Sequence, residues 1–316
     1  MNNIAYAQAV QAVAKPKFRG HKVLKSKVVT HYPDNLAREY TRITNRYMTL
    51  LNKTLAEHLP VIRKAIDAER NGMRHDDNRD VLALIEQEFM RIAADFGDRL
   101  NKFELENKLL NLSNLALNHK IREWKRIVRK TIGINIMEDY YRGEFFRQQL
   151  KIWTQANVDL ISRIPKNTLT QMRNIIEDGF RNGRTNTDIG REIQDVYGIG
   201  RRHAQFIARD QMATLNSDIT RQQQQDAGVK SYTWSDSGDG RVRDCHAEFH
   251  GKQFDWNNPP MNWYDTKTKG RVYTEPFHPG EAPGCRCVAL PLFDIENLNL
   301  PWDSGEKGEP YPVFSL

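Results

Sequence analysis

The sequence predicts an α+β protein: a mostly helical N-terminal two-thirds followed by a small β-rich Cys/His module. Three observations predict it. Apolar residues recur every three or four positions from Asn35 to about Asp226, the spacing of helices with one buried face. After Gly228 the spacing changes to alternation, which belongs to strands. All three cysteines, Cys245, Cys285 and Cys287, lie in residues 228–293 with His246, His250 and His278.

Residues 1–33 contain no acidic side chain. Lys15, Lys17, Arg19, Lys22, Lys25 and Lys27 alternate there with Phe18, Val23, Leu24, Val28 and Val29. We read this as a basic N-terminal arm that suits phosphates or an acidic protein surface; a mobile tail is the plainer reading. No charged stretch followed by a long apolar core opens the chain, so no secretory signal is expected.

Residues 34–165 read as a helical region. Leu36, Tyr40, Ile43, Tyr47, Leu50, Leu51 and Leu55 mark one apolar face, and Pro60 is expected to interrupt it. Residues 71–78 read as a polar turn. Leu82, Ile85, Phe89, Ile92 and Phe96 mark a second helix, with Gly97 as its expected end. From Phe103 the chain is apolar, then basic: Lys120, Arg122, Lys125, Arg126, Arg129 and Lys130 surround Trp124 and Ile127. Such a run is a nucleic-acid stripe or, more ordinarily, a solvated helix face. Residues 136–163 continue the pattern, and Pro165 is expected to cut it.

Residues 166–295 read as one further domain, whose β-rich part is 228–293. A helix from Thr168 to Asn182 ends at Gly183, which enters the left-handed region cheaply. Thr185 and Asp188 form a capping box for a short helix stopping at Gly198, and residues 201–226 form another, closed by Gly228. Val229, Tyr232 and Trp234 read as a strand, Asp236–Gly240 as its turn, and Val242 as the start of a second strand, a hairpin. Residues 255–275 read as too irregular for a regular element. Val288 to Phe293 reads as a closing strand, and 296–316 as an extended tail.

Composition bounds the function. At 39% hydrophobic residues and a mean hydropathy of −0.70 the surface is very polar, which suits a partner-bound helical protein better than a compact enzyme. The net charge of +7 and pI near 9.2 fit a polyanionic partner or ordinary solubility. No apolar run approaches the ~20 residues that span a bilayer, so no membrane partner is expected. Three cysteines, two of them one residue apart, argue against a disulfide framework and for reduced thiols or a metal.

Cys285 and Cys287 with His246, and with His278 or His250 as the fourth, offer zinc a tetrahedral set of thiolates and imidazoles; Cys245 is a spare. We take His246, His278, Cys285 and Cys287 as the expected ligands of a structural Zn2+. The alternative is packed thiols that only fill space. An enzymatic reading also exists: His246 and His250 with Asp244 and Glu248 as a metal-dependent nuclease cluster, or Cys245 as a nucleophile with His246 as base. No GxxxxGK, HExxH or GxSxG motif supports it. The candidate nucleic-acid contacts are Lys15, Lys17, Arg19, Lys120, Arg122, Lys125 and Arg126.

The order of motifs is informative. A capped helix (TNTDIGREIQDVYGI) leads to IARDQMATLNSDITRQQQQDAGV, then YTWSDSGDGRVRDCH, HGKQFDW, and HPGEAPGCRC before VALPLF. This series resembles the C-terminal domain of Mu-type phage head morphogenesis proteins, also called minor head proteins, over about residues 168–293. Arg241, Arg243, His246, Cys285, Arg286 and Cys287 carry the family pattern; Cys245 departs from it. The resemblance implies a non-enzymatic virion component, made in the host cytoplasm, that associates with the portal and procapsid proteins and in some cases binds double-stranded DNA. Some relatives carry appended toxin or transferase domains; none is expected after Phe293. The competing readings are a nuclease or DNA-processing protein and a nucleic-acid-binding protein of the host.

Overall fold

A computed structural model of the chain describes residues 3–71 and 79–303. The polar turn read at 71–78 and the tail beyond 303 lie outside the described residues, apart from Asn71 at a helix end. Seven helices are described: α1 Asn3–Phe18, α2 Asp34–Asn71, α3 Arg79–Phe103, α4 Leu105–Ile132, α5 Glu144–Arg181, α6 Asn186–Asp226 and α7 Asp244–Phe249. Six strands accompany them: β1 Val23–Lys25, β2 Ser231–Ser235, β3 Gln253–Asp255, β4 Met261–Thr266, β5 Gly270–Pro276 and β6 Val288–Asp294. The helices dominate the N-terminal two-thirds and the small antiparallel sheets follow, as the sequence predicts. The chain divides into two units. One is Met1–Leu36, Ser113–Lys151 and Asp210–Leu316; the other is Ala37–Leu112 and Ile152–Arg209.

The second of these is all helix in its described residues. Its core is the stripe of α2 (Tyr40, Tyr47, Leu51, Leu55, Ile62, Ile66) with Ile85, Phe89, Ile92 and Phe96 of α3 and Ile161, Ile164, Met172 and Ile176 of α5. Four expected breaks are absent. α2 runs through Pro60 and α5 through Pro165. A mid-helix proline forfeits one backbone hydrogen bond and strains the turn before it, but buried residues flank each proline on both sides, and burial outweighs that loss. α3 passes Gly97 and brings Phe103 edge-on to Tyr47, with centroids 5.6 Å apart. α6 is one helix through Gly198 and Gly200. A Cβ on Gly200 would lie 2.8 Å from Thr168 Oγ1 and 3.4 Å from Met48 Cε, so that glycine serves close helix contact rather than a stop. The capping box forms in part: the Asp188 N–H donates to Thr185 Oγ1 at 3.2 Å, while the Asp188 carboxylate accepts the Thr185 hydroxyl.

In the first unit the residues read as an arm are α1 and β1. Val10, Ala14 and Phe18 are buried, and β1 pairs with β6, matching Val23 to Asp294 and Lys25 to Leu292. The main sheet has the order β1-β6-β2-β3 with every pairing antiparallel. β6, the expected closing strand, is buried over Val288–Phe293. Its Pro291 sits where the ladder to β1 ends: the Ser26 N–H donates to the Pro291 carbonyl, and the missing proline N–H leaves no unpaired donor. On α4, Trp124 stacks on Phe293 with centroids 5.8 Å apart and donates its indole N–H to Tyr141 Oη at 2.9 Å. Two β-region expectations are corrected. No strand starts at Val242; residues 244–249 form α7 instead, and β2 pairs with β3 beyond it. Residues 255–275 are not irregular either: β4 and β5 form a two-stranded sheet around a turn where Gly270 has φ +65°.

Asp226, half-buried at the end of α6, accepts hydrogen bonds from Gln222 Nε2 (2.7 Å) and Tyr140 Oη (3.4 Å). Burial nonetheless pushes its carboxyl up to about 6. An acid raised in the folded state binds its proton more tightly there than in the unfolded chain. Stability therefore falls as pH rises from about 4 to about 6 and stays lower above that. Asp226→Asn removes the penalty. The variant is expected to exceed wild type by roughly 1–3 kcal/mol at pH 8, with the gap closing near pH 4. Urea melts at the two pH values check this; a pH-independent gap would assign the effect to packing.

Candidate metal centre

The site is built by a loop folded onto α6 and by the short α7. The loop, residues 278–287, turns at Gly280 (φ +91°) and Gly284 (φ +69°). At Gly280 a Cβ would meet Ser217 Cβ at 3.0 Å and the Ala213 carbonyl at 3.3 Å, so only glycine lets the loop ride this close to α6. Three contacts strap it down. Ser217 Oγ donates to the Pro279 carbonyl at 2.7 Å, the Gly284 N–H donates to Asp210 Oδ1 at 2.7 Å, and Arg221 pairs with Glu281 at 3.6 Å. The Ala282 carbonyl accepts from the Cys285 N–H at 2.8 Å and closes the turn. The loop thereby delivers Cys285 and Cys287 to His246 on α7.

One donor atom from each of His246, Cys285 and Cys287 lies within 4.8 Å of the others. His246 Nδ1 is 3.6 Å from Cys285 Sγ and 3.5 Å from Cys287 Sγ. The N–H groups of Gly280 and Cys287 each point at Cys285 Sγ from 3.4 Å. The hydrogen bond from the Cys287 thiol holds Cys285 well below the ordinary thiol range, against the opposing effect of burial. The same bond, reinforced by burial, pushes Cys287 up. The pair thus favours one thiolate, at Cys285. His246 Nε2 is buried without a protein hydrogen-bond partner, while its ring lies 5.0 Å from that of Trp234. Nδ1 is the ring nitrogen that faces the two sulfurs.

The three donors match three corners of a zinc tetrahedron in kind and in spacing, and no fourth His, Cys, Asp or Glu joins them among the described residues. With Zn–N of about 2.0–2.1 Å and Zn–S of about 2.3 Å, a tetrahedron requires N···S edges of about 3.5–3.6 Å, and both observed edges have that length. All three residues are buried, at 2%, 3% and 4% exposure, so an ion here would have no open face for a macromolecular substrate.

The other expected ligands are elsewhere. His278 is not with the group; its Nδ1 is 2.9 Å from Tyr232 Oη and its ring lies 4.8 Å from Trp256. Burial holds it below the ordinary histidine range, so it serves as a neutral core histidine. His250 is exposed and pairs with Asp236 at 3.1 Å. Glu248 pairs with Lys252 and Arg271. The residues of the nuclease reading are therefore not convergent among the described residues, and Cys245 is buried. The arginines of the family pattern bind protein rather than the group. Arg286 and Arg241 both reach Asp239, and Arg286 above all brings that carboxyl down to about 2. Arg243 donates to the Pro283 carbonyl.

Of the candidate nucleic-acid contacts, Lys120 is corrected: it is buried and paired with Glu123 at 2.9 Å. Lys125 pairs with Glu138 at 2.6 Å. Lys15, Lys17, Arg19, Arg122 and Arg126 are exposed. Sequence reasoning missed the straps from Asp210 and Ser217, whose spacing from the loop, 74 and 62 residues, leaves no local signal.

Residues 170–290 match the family model described as Phage Mu protein F like protein. This is the Mu-type head morphogenesis family to which the motif order points, and the match contains the whole loop, α7 and the Cys/His group. An uncharacterized protein of Haemophilus influenzae strain Rd is 28% identical over 236 residues, which cover 74% of this chain and 49% of the relative. The chain thus spans about half the length of that relative. No solved structure matches.

Proposed function

We propose that the protein is a minor head protein of a tailed bacteriophage, a structural assembly factor that docks on the portal during procapsid assembly and remains in the virion. The observation that carries this reading is the family domain at 170–290. Its only His/Cys cluster among the described residues is sealed in a core with Trp234, Phe249, Trp256 and Trp263. A buried cluster of that kind stiffens a surface; it does not reach a phosphodiester. His246, Cys285 and Cys287 would hold a structural zinc, whose contribution is to cross-link the loop to α7 where a small sheet has little core of its own. Contact with packaged double-stranded DNA belongs to the same reading. Its sites of action are the host cytoplasm during assembly and the virion afterwards.

The test is capture of the cognate portal protein by the full chain, co-expressed without other head proteins, and mass spectrometry of purified particles. The reading expects a stable portal complex and a few copies per particle. Particles that lack the chain, together with no portal capture, would overturn it. The nuclease alternative makes the opposite demand: plasmid nicking with added divalent metal that disappears in His246→Ala.

A further inference from the structure

A cleft in the first unit, outside the matched residues 170–290, has chemistry that deepens the DNA contact included in the head-assembly reading. It holds about 620 Å³ and is lined by Lys17, Lys25, Lys27, Arg126 and Lys130, with Leu24, Val28, Val29 and Thr131 between them. No carboxylate lines it. The cations stand in two rows. Lys25, the last residue of β1, and Lys27 are exposed with the buried Ser26 between them, and both line the cleft. Arg126 and Lys130 are one turn apart on α4 and share a face.

The walls are fixed in place. Arg126 donates to the Val29 carbonyl at 3.0 Å, and Thr131 Oγ1 is 3.3 Å from Ser26 Oγ, which also accepts from the Val28 N–H at 3.2 Å. The Lys17 stem lies over Gly133, where a Cβ would come within 3.1 Å of Lys17 Cε. Gly133 has φ +80°, and its missing side chain is what gives that stem room. None of the four lysines has an ion-pair partner among the described residues. Converging like charges without counter-charges destabilise a fold, and an anionic occupant removes that cost.

We infer that this cleft binds the phosphate backbone of nucleic acid without reading its sequence. Four of its five cations are lysines, point charges that accept phosphates in many orientations. Selection of carboxylates would favour the paired donors of arginine forks, and only one arginine is present. The inference rests on the DNA contact in that reading and assigns it to this cleft; loss of duplex binding with portal capture intact, and loss of portal capture with duplex binding intact, report on separate claims.

The experiment is fluorescence anisotropy of the full chain with a short labelled DNA duplex of random sequence, over a range of salt. With four to five phosphates engaged, log K against log salt should have a slope of about −3.6 to −4.5. Lys25→Gln/Lys27→Gln/Lys130→Gln should make the slope shallower by about 2.7 and weaken binding on the order of 100-fold near 0.1 M salt. The same variant should melt at or above the wild-type temperature at low salt, which shows that it folds. Lys151→Gln/Lys166→Gln/Lys230→Gln removes equal charge from exposed positions outside the cleft and should leave the slope within about one unit of wild type. Equal losses in the two triple variants would overturn the proposal in favour of net charge. So would poly-glutamate that displaces the duplex as well as inorganic polyphosphate does, since that result makes the cleft a seat for acidic protein.

Discussion

Gly228→Ala is expected to cost the protein about 3–5 kcal/mol, enough to deplete the folded state of a domain of ordinary stability. Two effects add. Gly228 ends α6 with φ +75°, where an L side chain costs roughly 1–2 kcal/mol. Its N–H and that of Val229 also return to the carbonyls of Gln225 and Gln224, at 2.9 Å each, so the conformation cannot relax without opening the helix end. The larger effect is steric: a Cβ would stand 1.7 Å from the Asn297 carbonyl oxygen. That segment is tied to the helix end by the Asn299 N–H, which donates to the Ala227 carbonyl at 3.2 Å, so the clash is backbone against backbone and pushes on the chain leaving β6. Gly238→Ala is the control. Gly238 has φ +66° with nothing within 4 Å of its Cβ position and should lose only the conformational part, about 1–2 kcal/mol. Urea melts of both variants measure the difference. Equal losses would show that α6 and the segment after β6 are not packed as described.

The long stripes were readable because they repeat. Tyr40, Ile43, Tyr47, Leu51 and Leu55, and Ile85, Phe89, Ile92 and Phe96, return to one face over several turns and are buried, while Leu50 and Leu82 at the margins of the stripes are only half-buried. Punctuation misled where tertiary burial overrode it. Pro60 and Pro165 carry a local cost, but Ile62 and Ile66 beyond the first, and Thr168 and Met172 beyond the second, are buried along the same stripe. A single sequence weighs proline locally and cannot see that burial. α7 was missed because six residues, DCHAEF, are too few to display a helical period, and alternation fitted them equally well. The β4–β5 hairpin had a legible signal that was passed over: aromatic residues flank TKTKG, where Thr266 Oγ1 accepts from the Lys269 N–H at 2.9 Å and Gly270 takes positive φ. Cys285, Cys287 and His246 could be named from residue type and turn content. His278 could not be separated from them, because its partners, Tyr232 and Trp256, are 46 and 22 positions away in the chain.

That separation gives the second large expected effect. Protein purified without chelator should contain one zinc per chain by elemental analysis, and Cys285→Ser/Cys287→Ser and His246→Ala should contain none. His278→Ala and His250→Ala should keep the full complement, the first at a cost in stability from the lost Tyr232 contact, the second at little cost. The loop and α7 meet at these three side chains, at the Arg243–Pro283 contact and in the buried cluster that Cys245 and Phe249 share with Ala282. Stripping the metal should therefore destabilise the module by several kcal/mol, since zinc affinity at such sites appears as folding energy. Cobalt(II) added to the stripped protein should produce a thiolate charge-transfer band that both His278→Ala and His250→Ala retain. A wild type that is metal-free as purified, melts at the same temperature with and without chelator, and gives no cobalt band would sink the assignment. The group would then be a thiol–thiolate pair capped by imidazole, and the stiffness of the module would come from the Asp210, Ser217 and Arg221 straps with the Arg243–Pro283 and Arg286–Asp239 contacts. The two accounts differ in where the weak point lies. With zinc, His246→Ala should be more damaging than Asp210→Ala, because it removes a ligand that joins two elements; without zinc, the order reverses.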